Sequence, residues 1–439
     1  MGPQVIHDAT NTLLNFTFYY PLFMAYVWMI GALNYYFRFE RGIAVADLPP
    51  GPPFVEPVSI VIPMRNEAQH ARETVAYALA IDYPTFEVLA VNDGSTDETG
   101  TILDELARGE PRLRVVHLAQ NQGKAIALEM GALVAKHEFL VCIDGDAILH
   151  PRSVRWMMRH FAYARVAAVT GNPRIRTRSS LLGKIQVGEF SAIVGLIKRA
   201  QRTYGRVFTV SGVAAAFRKA ALHDVGYWTP DMLAEDIDVT WRMQIRHWDV
   251  RYEPLASIWI LMPETFRGLW NQRLRWAMGG FQVVLKYAGD IRHWGSRRMW
   301  GIFVEFLLSI TWAYSMLLIT TLWLLGLVLP LPSYVRIASP VPGWAGVVIG
   351  TTCLLQIAVS LFLDRRYDYR LGRIYFWMIW YPLAFWIVSA LTTVVAVPKI
   401  LMRKRNARAI WVSPDRGINS DRGINPDRGA SPDKGLSRP

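Results

Sequence analysis

The sequence predicts an α/β protein in which a Rossmann-like domain is inserted between transmembrane α-helices. Three observations lead to this prediction. Long uncharged blocks lie near both ends of the chain, segments typical of strands and of helices alternate between them, and the apolar run Phe139–Ile143 leads directly into Asp144 and Asp146. An apolar run of this length, bounded by turn residues, is typical of a strand buried on both faces of a parallel sheet.

Four blocks of the chain are long and apolar enough to cross a membrane. They carry few or no charged residues and cover residues 15–36, 306–332, 343–363 and 374–397. About 20 apolar residues allow a helix to cross roughly 30 Å of hydrocarbon. The first block has no basic segment before it and no small-residue cleavage site after it, so we expect an anchor rather than a signal peptide. The chain is therefore expected to be a multi-pass integral membrane protein.

Basic residues predict the orientation of the chain. Arg38 and Arg41 follow the first block, whereas residues 1–16 contain no Lys or Arg. The positive-inside rule then places the N-terminus outside and the region up to about Arg298 in the cytoplasm. The loop after the third block is also expected inside, since it carries Arg365, Arg366, Arg370 and Arg373. The basic residues 403–408 favour the inside as well, which leaves two alternatives open: a re-entrant hairpin broken at Pro382, or a tail on the outside.

The charge balance limits the classes of partner. The formal net charge is +13, and the basic residues cluster beside the apolar blocks. This pattern indicates contact with an anionic lipid bilayer and an anionic substrate, and it argues against a nucleic-acid polymer. Cys142 and Cys353 are the two cysteines of the chain. The sequence therefore predicts no disulfide framework and no metal-thiolate site.

The region between the first two apolar blocks alternates strand and helix patterns. Four strands are predicted at residues 58–63, 86–91, 113–118 and 139–143, with helices at 68–81, from about 96 to 107, and from Lys124 onward. Thr96 or Asp97 is expected to cap the second of these helices. Such alternation predicts a parallel sheet with right-handed crossovers.

Polar residues follow three of these predicted elements. Asp93 ends the second strand, Lys124 begins a helix, and Asp144 and Asp146 end the fourth strand. The carboxyl ends of the strands meet at one edge of the sheet, so these residues are expected to face one crevice. Carboxylates spaced in this way suit Mg²⁺ or Mn²⁺ carrying a diphosphate, and a lysine at a helix start suits a phosphate. Taken alone, each aspartate can instead be a turn former and Lys124 can instead be an ordinary surface cation.

Two motifs are missing. The sequence contains neither a Gly-x-Gly-x-x-Gly fingerprint nor a Walker A loop. Dinucleotide binding and P-loop chemistry therefore lose support.

Three further segments carry polar chemistry. Residues 208–212 are predicted to form a short strand ending in Ser211 and Gly212, where a sugar ring can approach the backbone. Residues 231–241 contain four carboxylates near a predicted helix start, which spacing alone interprets as helix capping but which can also supply a general base. Residues 263–287 mix aromatic and basic residues. They predict an amphipathic helix at the membrane surface, in which Arg275 can also meet a diphosphate and Trp276 a sugar face.

Taken together, these motifs resemble a known family. Asn92-Asp93-Gly94-Ser95, Asp144-x-Asp146, Glu235-Asp236 and Gln272-x-x-Arg275-Trp276 stand in this order between membrane spans, as in the processive family-2 glycosyltransferases (GT-A fold) that make cellulose, chitin and hyaluronan. The longer runs at residues 121–128, 170–178, 262–265 and 411–417 resemble the catalytic subunits of bacterial poly-β-1,6-N-acetyl-D-glucosamine synthases. The resemblance extends from about residue 18 to residue 417.

The resemblance implies a reaction and a set of site residues. It implies inverting, processive transfer of N-acetylglucosamine from UDP-N-acetylglucosamine to the 6-hydroxyl end of a growing polysaccharide, with export of this biofilm exopolysaccharide. The roles it assigns are donor binding by Asp93, Lys124, Asp144 and Arg275, metal binding by Asp146 with Asp144, general base catalysis by Asp236 with Glu235 beside it, and acceptor binding by Gln272, Trp276, Ser211 and Gly212. In place of the usual threonine before Glu235-Asp236, this chain has Ala234.

The resemblance also implies a cellular setting. It implies a multi-pass protein of the bacterial inner membrane with a cytoplasmic catalytic domain, a small membrane accessory subunit, and activation by cyclic di-GMP, whose site the sequence does not locate. The expected organisation is an anchor (1–40), a glycosyltransferase domain (41–264), amphipathic interface helices (265–300), a membrane region (301–400), and a basic segment with a disordered six-residue repeat (401–439).

Alternative functions stay open from the sequence. Within the same enzyme class these are synthesis of a chitin- or hyaluronan-like polymer and transfer of one sugar to a lipid. A different class is an inactive, cyclic-dinucleotide-responsive membrane receptor.

Overall fold

The computed structural model describes residues 2–44, 48–50, 54–177, 180–339, 345–368, 381–404 and 408. The predicted tail repeat, Arg370, Arg373 and residues 374–380 lie outside the described residues. The re-entrant hairpin at Pro382 is therefore still a prediction.

A single eight-stranded sheet forms the centre of the molecule. Its strands are β1 (Val58–Met64), β2 (Phe86–Asp93), β3 (Leu113–Leu118), β4 (Phe139–Ile143), β5 (Ile148–Leu149), β6 (Val166–Ile175), β7 (Ala214–Arg218) and β8 (Asp249–Ile260). They lie in the order β3-β2-β1-β4-β7-β6-β8-β5. All residues of β1 and β4 are buried. Their apolar sequences are explained by this burial, since helices or other elements cover both faces of a central strand.

Half of this sheet follows the predicted Rossmann-like pattern. Strands β1 to β4 are parallel to one another, and the predicted limits of these four strands agree with the structure to within two residues. The other half does not follow the prediction, because β7 runs antiparallel to both β4 and β6. The sheet is therefore mixed rather than wholly parallel. The predicted strand at residues 208–212 is also wrong: this segment is irregular apart from one bridge between Ser211 and Ala214, and the strand β7 begins only at Ala214.

Nine helices of the described chain surround the sheet or connect its strands. They are α2 (Ala71–Leu79), α3 (Thr99–Gly109), α4 (Lys124–Val134), α5 (Ser153–Met158), α6 (Leu181–Glu189), α7 (Leu196–Tyr204), α8 (Lys219–Val225), α9 (Glu235–Ile245) and α10 (Phe266–Ile291). The cap position of α3 is Glu98, which makes no side-chain cap, rather than the expected Thr96 or Asp97. Asp97 precedes it and accepts the backbone N–H of Thr99, the first residue of the helix, at 3.0 Å. Thr265 caps α10 by accepting the N–H of Gly268, which explains why the amphipathic helix begins at residue 266.

Four helices are long and apolar enough to cross a membrane. They belong to the segments Pro3–Glu40, Trp294–Val328, Ala345–Asp364 and Ala384–Leu401. Their regular helical parts are α1 (Pro3–Tyr35), α11 (Trp300–Val328), α12 (Ala345–Asp364) and α13 (Tyr381–Leu401). These are the four apolar blocks predicted from the sequence, and the chain is accordingly a membrane protein.

A buried cluster of charges joins the membrane helices to the sheet. Arg199 of α7 binds Glu40, just beyond α1, at 2.6 Å and Asp364 at the end of α12 at 3.0 Å. Asp364 also binds Arg174 of β6 at 2.8 Å. These four side chains are at most 4% exposed. The cluster fixes two membrane helices against the central sheet, because separating them would leave charges buried without partners.

Candidate active site

The predicted polar residues meet at the carboxyl ends of the parallel strands. Asp93 is the last residue of β2, Asp144 directly follows β4, and Lys124 begins α4. Glu235 and Asp236 form the first turn of α9, which lies against them. Proximity of Lys124 to Asp144 and Glu235 shows that segments more than 100 residues apart in sequence form one site.

Asp93 is completely buried and organises the loop before α4. Its two carboxylate oxygens accept the backbone N–H groups of Gln122 at 2.7 Å and Gly123 at 2.9 Å. Gly123 has φ of +94°, a backbone conformation that glycine adopts readily. Asp93 therefore stabilises the turn that positions Lys124 in the site. Each of its carboxylate oxygens can accept a second hydrogen bond, and the predicted uridine contact depends on these remaining lone pairs.

Lys124 connects the Asp-x-Asp turn to α9. Its Nζ lies 2.6 Å from Oδ1 of Asp144, 3.3 Å from Oε1 of Glu235 and 2.9 Å from the carbonyl oxygen of Gly212. Burial alone lowers the pKa of Lys124, but the negative charges of Asp144 and Glu235 outweigh burial and hold this pKa well above its usual value. The lysine is therefore a fixed positive charge at the centre of the site.

A tight turn presents the two aspartates of the Asp-x-Asp motif. The N–H of Ala147 donates to the carbonyl of Asp144 at 3.0 Å, and the Thr74 hydroxyl donates to the carbonyl of Gly145 at 2.8 Å. Asp146 is 6% exposed. Within the described residues, no group of three or more His, Cys, Asp or Glu side chains is placed to hold a metal. Two carboxylates fit Mg²⁺ or Mn²⁺ only if substrate phosphates and water supply the other ligands, which is how Mg²⁺ is commonly bound.

Asp236 lies against a short stretch of backbone. Its Oδ2 accepts the N–H of Gly212 at 3.1 Å, and its Oδ1 accepts the N–H of Ile237 at 2.9 Å. Burial and the neighbouring Glu235 charge raise the pKa of Asp236 to about 6, against the opposing charges of Lys124 and Arg275. A carboxylate with this pKa is ionised at neutral pH and can still accept a proton, as a general base requires.

The carboxylates of residues 231–241 fit both sequence-based interpretations, stabilisation of a helix start and supply of a candidate general base. Glu235, Asp236 and Asp238 all lie in the first turn of α9, where negative charge favours the helix. Asp238 is buried and pairs with Lys286 and Arg242, so its role is structural. Ala234 precedes the helix without a side-chain cap, and a Cβ placed on Gly279 of α10 would lie 2.4 Å from the Ala234 Cβ. The small residue is therefore matched to close packing against α10.

A cavity opens beside Asp236. Ser211, Gly212, Glu235 and Asp236 form its polar side, and the apolar wall consists of Leu128, Cys142, Val210, Ala215, Phe217 and Trp228. Predicted acceptor residues Ser211 and Gly212 are thus next to the predicted base. Ser211 is fixed by its own N–H, which donates to the Thr170 hydroxyl at 2.7 Å.

The Gln-x-x-Arg-Trp motif lies on α10. Gln272 has a buried Oε1 that has no hydrogen-bond partner in the described part of the chain. The charge of Arg275 acts on Asp236, which places this exposed arginine near the base. Trp276 is 37% exposed and stacks against Arg273, whose guanidinium lies 4.3 Å from the ring centre. Arg273 is held by Glu189 at 2.7 Å. Gln272 therefore has an unpartnered amide oxygen within the described chain and Arg275 is exposed, whereas Arg273 supports the tryptophan.

Sequence reasoning missed two residues near this site. Lys198 of α7 and Thr170 of β6 are buried and hydrogen-bonded to each other at 3.1 Å. No recognisable motif lies next to Lys198 in the sequence. It is adjacent to Arg199, and the two residues together are typical of an exposed basic face of a helix. In the sequence, Thr170 is simply the first residue of a run, residues 170–178, that resembles the family. No local signal separates a buried cation from an exposed one in such a segment.

Comparisons with known proteins agree with this fold and site. Residues 53–279 match the family model described as "Glycosyltransferase like family 2". A solved structure, a mannosyltransferase from Pyrobaculum calidifontis in complex with GDP-Man and Mn²⁺, is similar with a TM-score of 0.60 over 91% of this chain and 99% of that chain. At 19% sequence identity, this structural similarity shows the fold alone. The observed mixed sheet is therefore that of a GT-A glycosyltransferase.

Relatives with similar sequences give a narrower assignment. A poly-β-1,6-N-acetyl-D-glucosamine synthase of Staphylococcus epidermidis is 35% identical over 412 residues, which are 92% of this chain and 98% of that protein. The enzyme of the same name from Staphylococcus aureus strain COL is 35% identical over 405 residues, with the same coverage. The chain is a glycosyltransferase; it belongs to family 2 of these enzymes and, within that family, to the poly-β-1,6-N-acetyl-D-glucosamine synthases.

Proposed function

We propose that the protein transfers N-acetylglucosamine from UDP-N-acetylglucosamine to the end of a growing β-1,6-linked polymer, processively and with inversion, and exports this biofilm exopolysaccharide. The observation that carries the proposal is the position of Asp236. Its carboxylate borders a cavity whose polar side includes Ser211 and Gly212, and it lies beside the cluster of Lys124, Asp144 and Glu235. A candidate base and a candidate phosphate-binding lysine thus lie side by side at the carboxyl edge of the parallel strands.

The donor half of the site is assigned to the ends of β2 and β4. Asp93 is proposed to accept the uracil N–H, and Lys124 and Arg275 to attract the diphosphate as negative charge develops on UDP. Lys124 pairs with Asp144 and Glu235. Diphosphate binding would exchange the Asp144 carboxylate for phosphate oxygens, while Glu235 remains the partner of Lys124. Asp146 and Asp144 would hold Mg²⁺ or Mn²⁺, which neutralises charge on the diphosphate leaving group when bound.

The acceptor half requires one proton transfer. Asp236 is proposed to remove the proton from the attacking 6-hydroxyl, and inversion requires no protein nucleophile. Glu235 stays paired with Lys124 and raises the pKa of Asp236 through its charge. Gln272 and Trp276 are proposed to hold the acceptor sugar from α10, through the free amide oxygen and the exposed ring edge respectively.

The membrane helices are proposed to carry the polymer across the bacterial inner membrane. The positive-inside rule supports a cytoplasmic catalytic domain, because Arg38 and Arg41 follow α1. A small membrane accessory subunit and activation by cyclic di-GMP belong to the same proposal. They rest on the family resemblance, and no residue of the described chain is assigned to either.

The decisive test is Asp236→Asn in detergent-purified protein and in membranes. UDP release from UDP-N-acetylglucosamine with Mg²⁺ should fall by at least about 1000-fold, while UDP binding is retained, because the amide cannot accept the proton. Asp224→Asn is the matched control, since Asp224 is a partly exposed carboxylate on α8 that pairs with Arg246. Full activity of the Asp236 variant would refute the base assignment.

The product separates the remaining alternatives. We expect a large polymer by gel filtration that a β-1,6-specific glycosidase digests, formed with cyclic di-GMP and the accessory subunit present. A polymer that resists digestion indicates another β-linked polysaccharide, and a single-sugar lipid product contradicts processive synthesis. No UDP release under any of these conditions would favour the inactive receptor.

A further inference from the structure

Lys198 is a buried cation close to the active site that the proposed reaction does not use. It lies on α7, next to Arg199, and is 6% exposed. Arg199 is neutralised by Glu40 and Asp364. In contrast, the one hydrogen-bond partner of Lys198 within the described chain is the neutral hydroxyl of Thr170, at 3.1 Å. Burial lowers the pKa of Lys198 to about 8, and the charge of Asp236 opposes this change.

A short chain of hydrogen bonds connects Lys198 with Asp236. The Thr170 hydroxyl that receives the lysine also accepts the N–H of Ser211 at 2.7 Å. The next residue, Gly212, donates its N–H to Oδ2 of Asp236 at 3.1 Å. Lys198 and Thr170 therefore fix the backbone segment on which the Asp236 carboxylate rests.

The surroundings of Lys198 argue against a purely structural role. An ammonium buried against a neutral partner costs stability, whereas an apolar side chain of the same length would fill the space without this cost. Burial of an ammonium without a charged partner has a functional explanation if its charge acts on a nearby anion. Asp236 is the carboxylate whose charge acts on Lys198.

We propose that Lys198 is a positioning residue for the reaction: its charge keeps Asp236 ionised, and its hydrogen bond to Thr170 holds the Ser211-Gly212 segment beneath that carboxylate. The inference rests on the proposed role of Asp236 as general base. Four charged groups then face Asp236: Glu235 on the same helix α9, Lys124 from α4, Arg275 from α10 and Lys198 from α7.

The test is the pH profile of UDP release by Lys198→Met and Lys198→Gln in the full-length protein. Both variants remove the charge, and only Gln keeps a donor for Thr170. The acidic limb of the profile is the fall in rate at low pH, where Asp236 becomes protonated. Loss of a nearby opposite charge should move this limb upward by about one pH unit in both variants. Activity then falls about eightfold at pH 5.5 and less than about twofold at pH 8, where the carboxylate is ionised in every form. Lys198→Arg should keep the acidic limb of the native protein.

A stability measurement separates this role from a structural one. Lys198→Met should melt at or above the temperature of the native protein, because it removes a buried charge with a neutral partner. Should Lys198→Met fail to fold, Lys198→Gln gives the same test of the acidic limb. Lys219→Met is the matched control, since it removes the same charge from a lysine whose ammonium donates to the Ala135 carbonyl at 3.0 Å, and its acidic limb should not move.

Thr170→Val tests the hydrogen-bonded chain. The substitution keeps the shape and removes the hydroxyl shared by Lys198 and Ser211, so kcat should fall by about tenfold or more as Gly212 loses its position. An unchanged acidic limb in both charge-removing variants overturns the inference. If Asp236→Asn keeps its activity, the base assignment fails instead, so the two failures are distinguishable.

Discussion

The backbone N–H of Gly212 donates to Oδ2 of Asp236 at 3.1 Å, and a Cβ added to Gly212 would lie 2.9 Å from the same oxygen. Glycine at this position thus allows the carboxylate to sit directly on the backbone. The contact joins the segment before β7 to the start of α9, and it fixes where the proposed proton acceptor lies beside the cavity.

Gly212→Ala should displace Asp236, the proposed base, without unfolding the protein. The added methyl group meets the end of a side chain rather than backbone, so the Asp236 carboxylate moves and the fold adjusts locally. A displacement of this kind should lower kcat for UDP release by about 10- to 100-fold. The melting temperature should stay close to that of the native protein, and native activity of this variant would show that the contact does not matter.

The rate should depend on pH through Asp236. Its pKa is raised to about 6, so the base is ionised above this pH and protonated below it. Turnover should therefore rise with pH up to about 6 and then level off, and about tenfold should be lost for each pH unit below 5. The kcat of UDP release between pH 4.5 and 8 measures this limb. A limb centred near pH 4 would mean that Asp236 titrates as an ordinary carboxyl group.

Arg199→Met should destabilise the connection between membrane helices and sheet. The substitution leaves Glu40 and Asp364 buried with fewer partners, and removal of one member of a buried charge cluster costs about 3–5 kcal/mol. Thermal unfolding in detergent should show a clear drop in melting temperature. Arg72→Met is the control, because the Arg72 and Glu105 side chains are about half exposed and such pairs contribute little. Equal melting temperatures of the two variants would contradict the role of the cluster.

Gly31→Ala should loosen the contact of the first membrane helix with α7. A Cβ at Gly31 would lie 2.7 Å from the Tyr204 ring and 2.8 Å from Cα of Ala200, so the helices must separate. We expect a lower melting temperature and lower UDP release, because α7 also carries Lys198. Gly350→Ala on α12 is the control, since a Cβ there has no neighbour within 4 Å in the described chain apart from its adjoining residues and the nearby backbone of its own helix. A native-like Gly31 variant would show that the two helices adjust freely.

Chelation of divalent metal should abolish UDP release, and added Mg²⁺ or Mn²⁺ should restore it. Asp146→Asn should raise the metal concentration needed for half-maximal rate by at least about tenfold, because the amide loses the charge that attracts the cation. Titration of the rate with each metal measures this change. Ser95→Ala, in the neighbouring Asn92-Asp93-Gly94-Ser95 loop, should leave the metal requirement as it is. Full activity in the presence of chelator would refute metal dependence.

The sequence alone determined the parallel half of the sheet, the four membrane-spanning helices and the family. Each of these has a local signal. Strands β1 and β4 are uninterrupted apolar runs, because both of their faces are buried, and the membrane helices need about 20 apolar residues in succession. Asp93, Lys124, Asp144 and Asp146 could be placed in one crevice because the carboxyl ends of parallel strands meet at one edge.

The tertiary structure decided the features that depend on pairing between distant segments. The reversed direction of β7 and the irregular backbone at residues 208–212 leave no trace in local periodicity, since strand direction is set by the neighbours to which a strand bonds. Lys198 and Arg199 are adjacent basic residues in sequence, yet one meets a neutral hydroxyl and the other two carboxylates. Whether a charge is paired depends on the side chains that surround it. The partners of Lys198 and Arg199 are distant in sequence and reach them only when the chain folds.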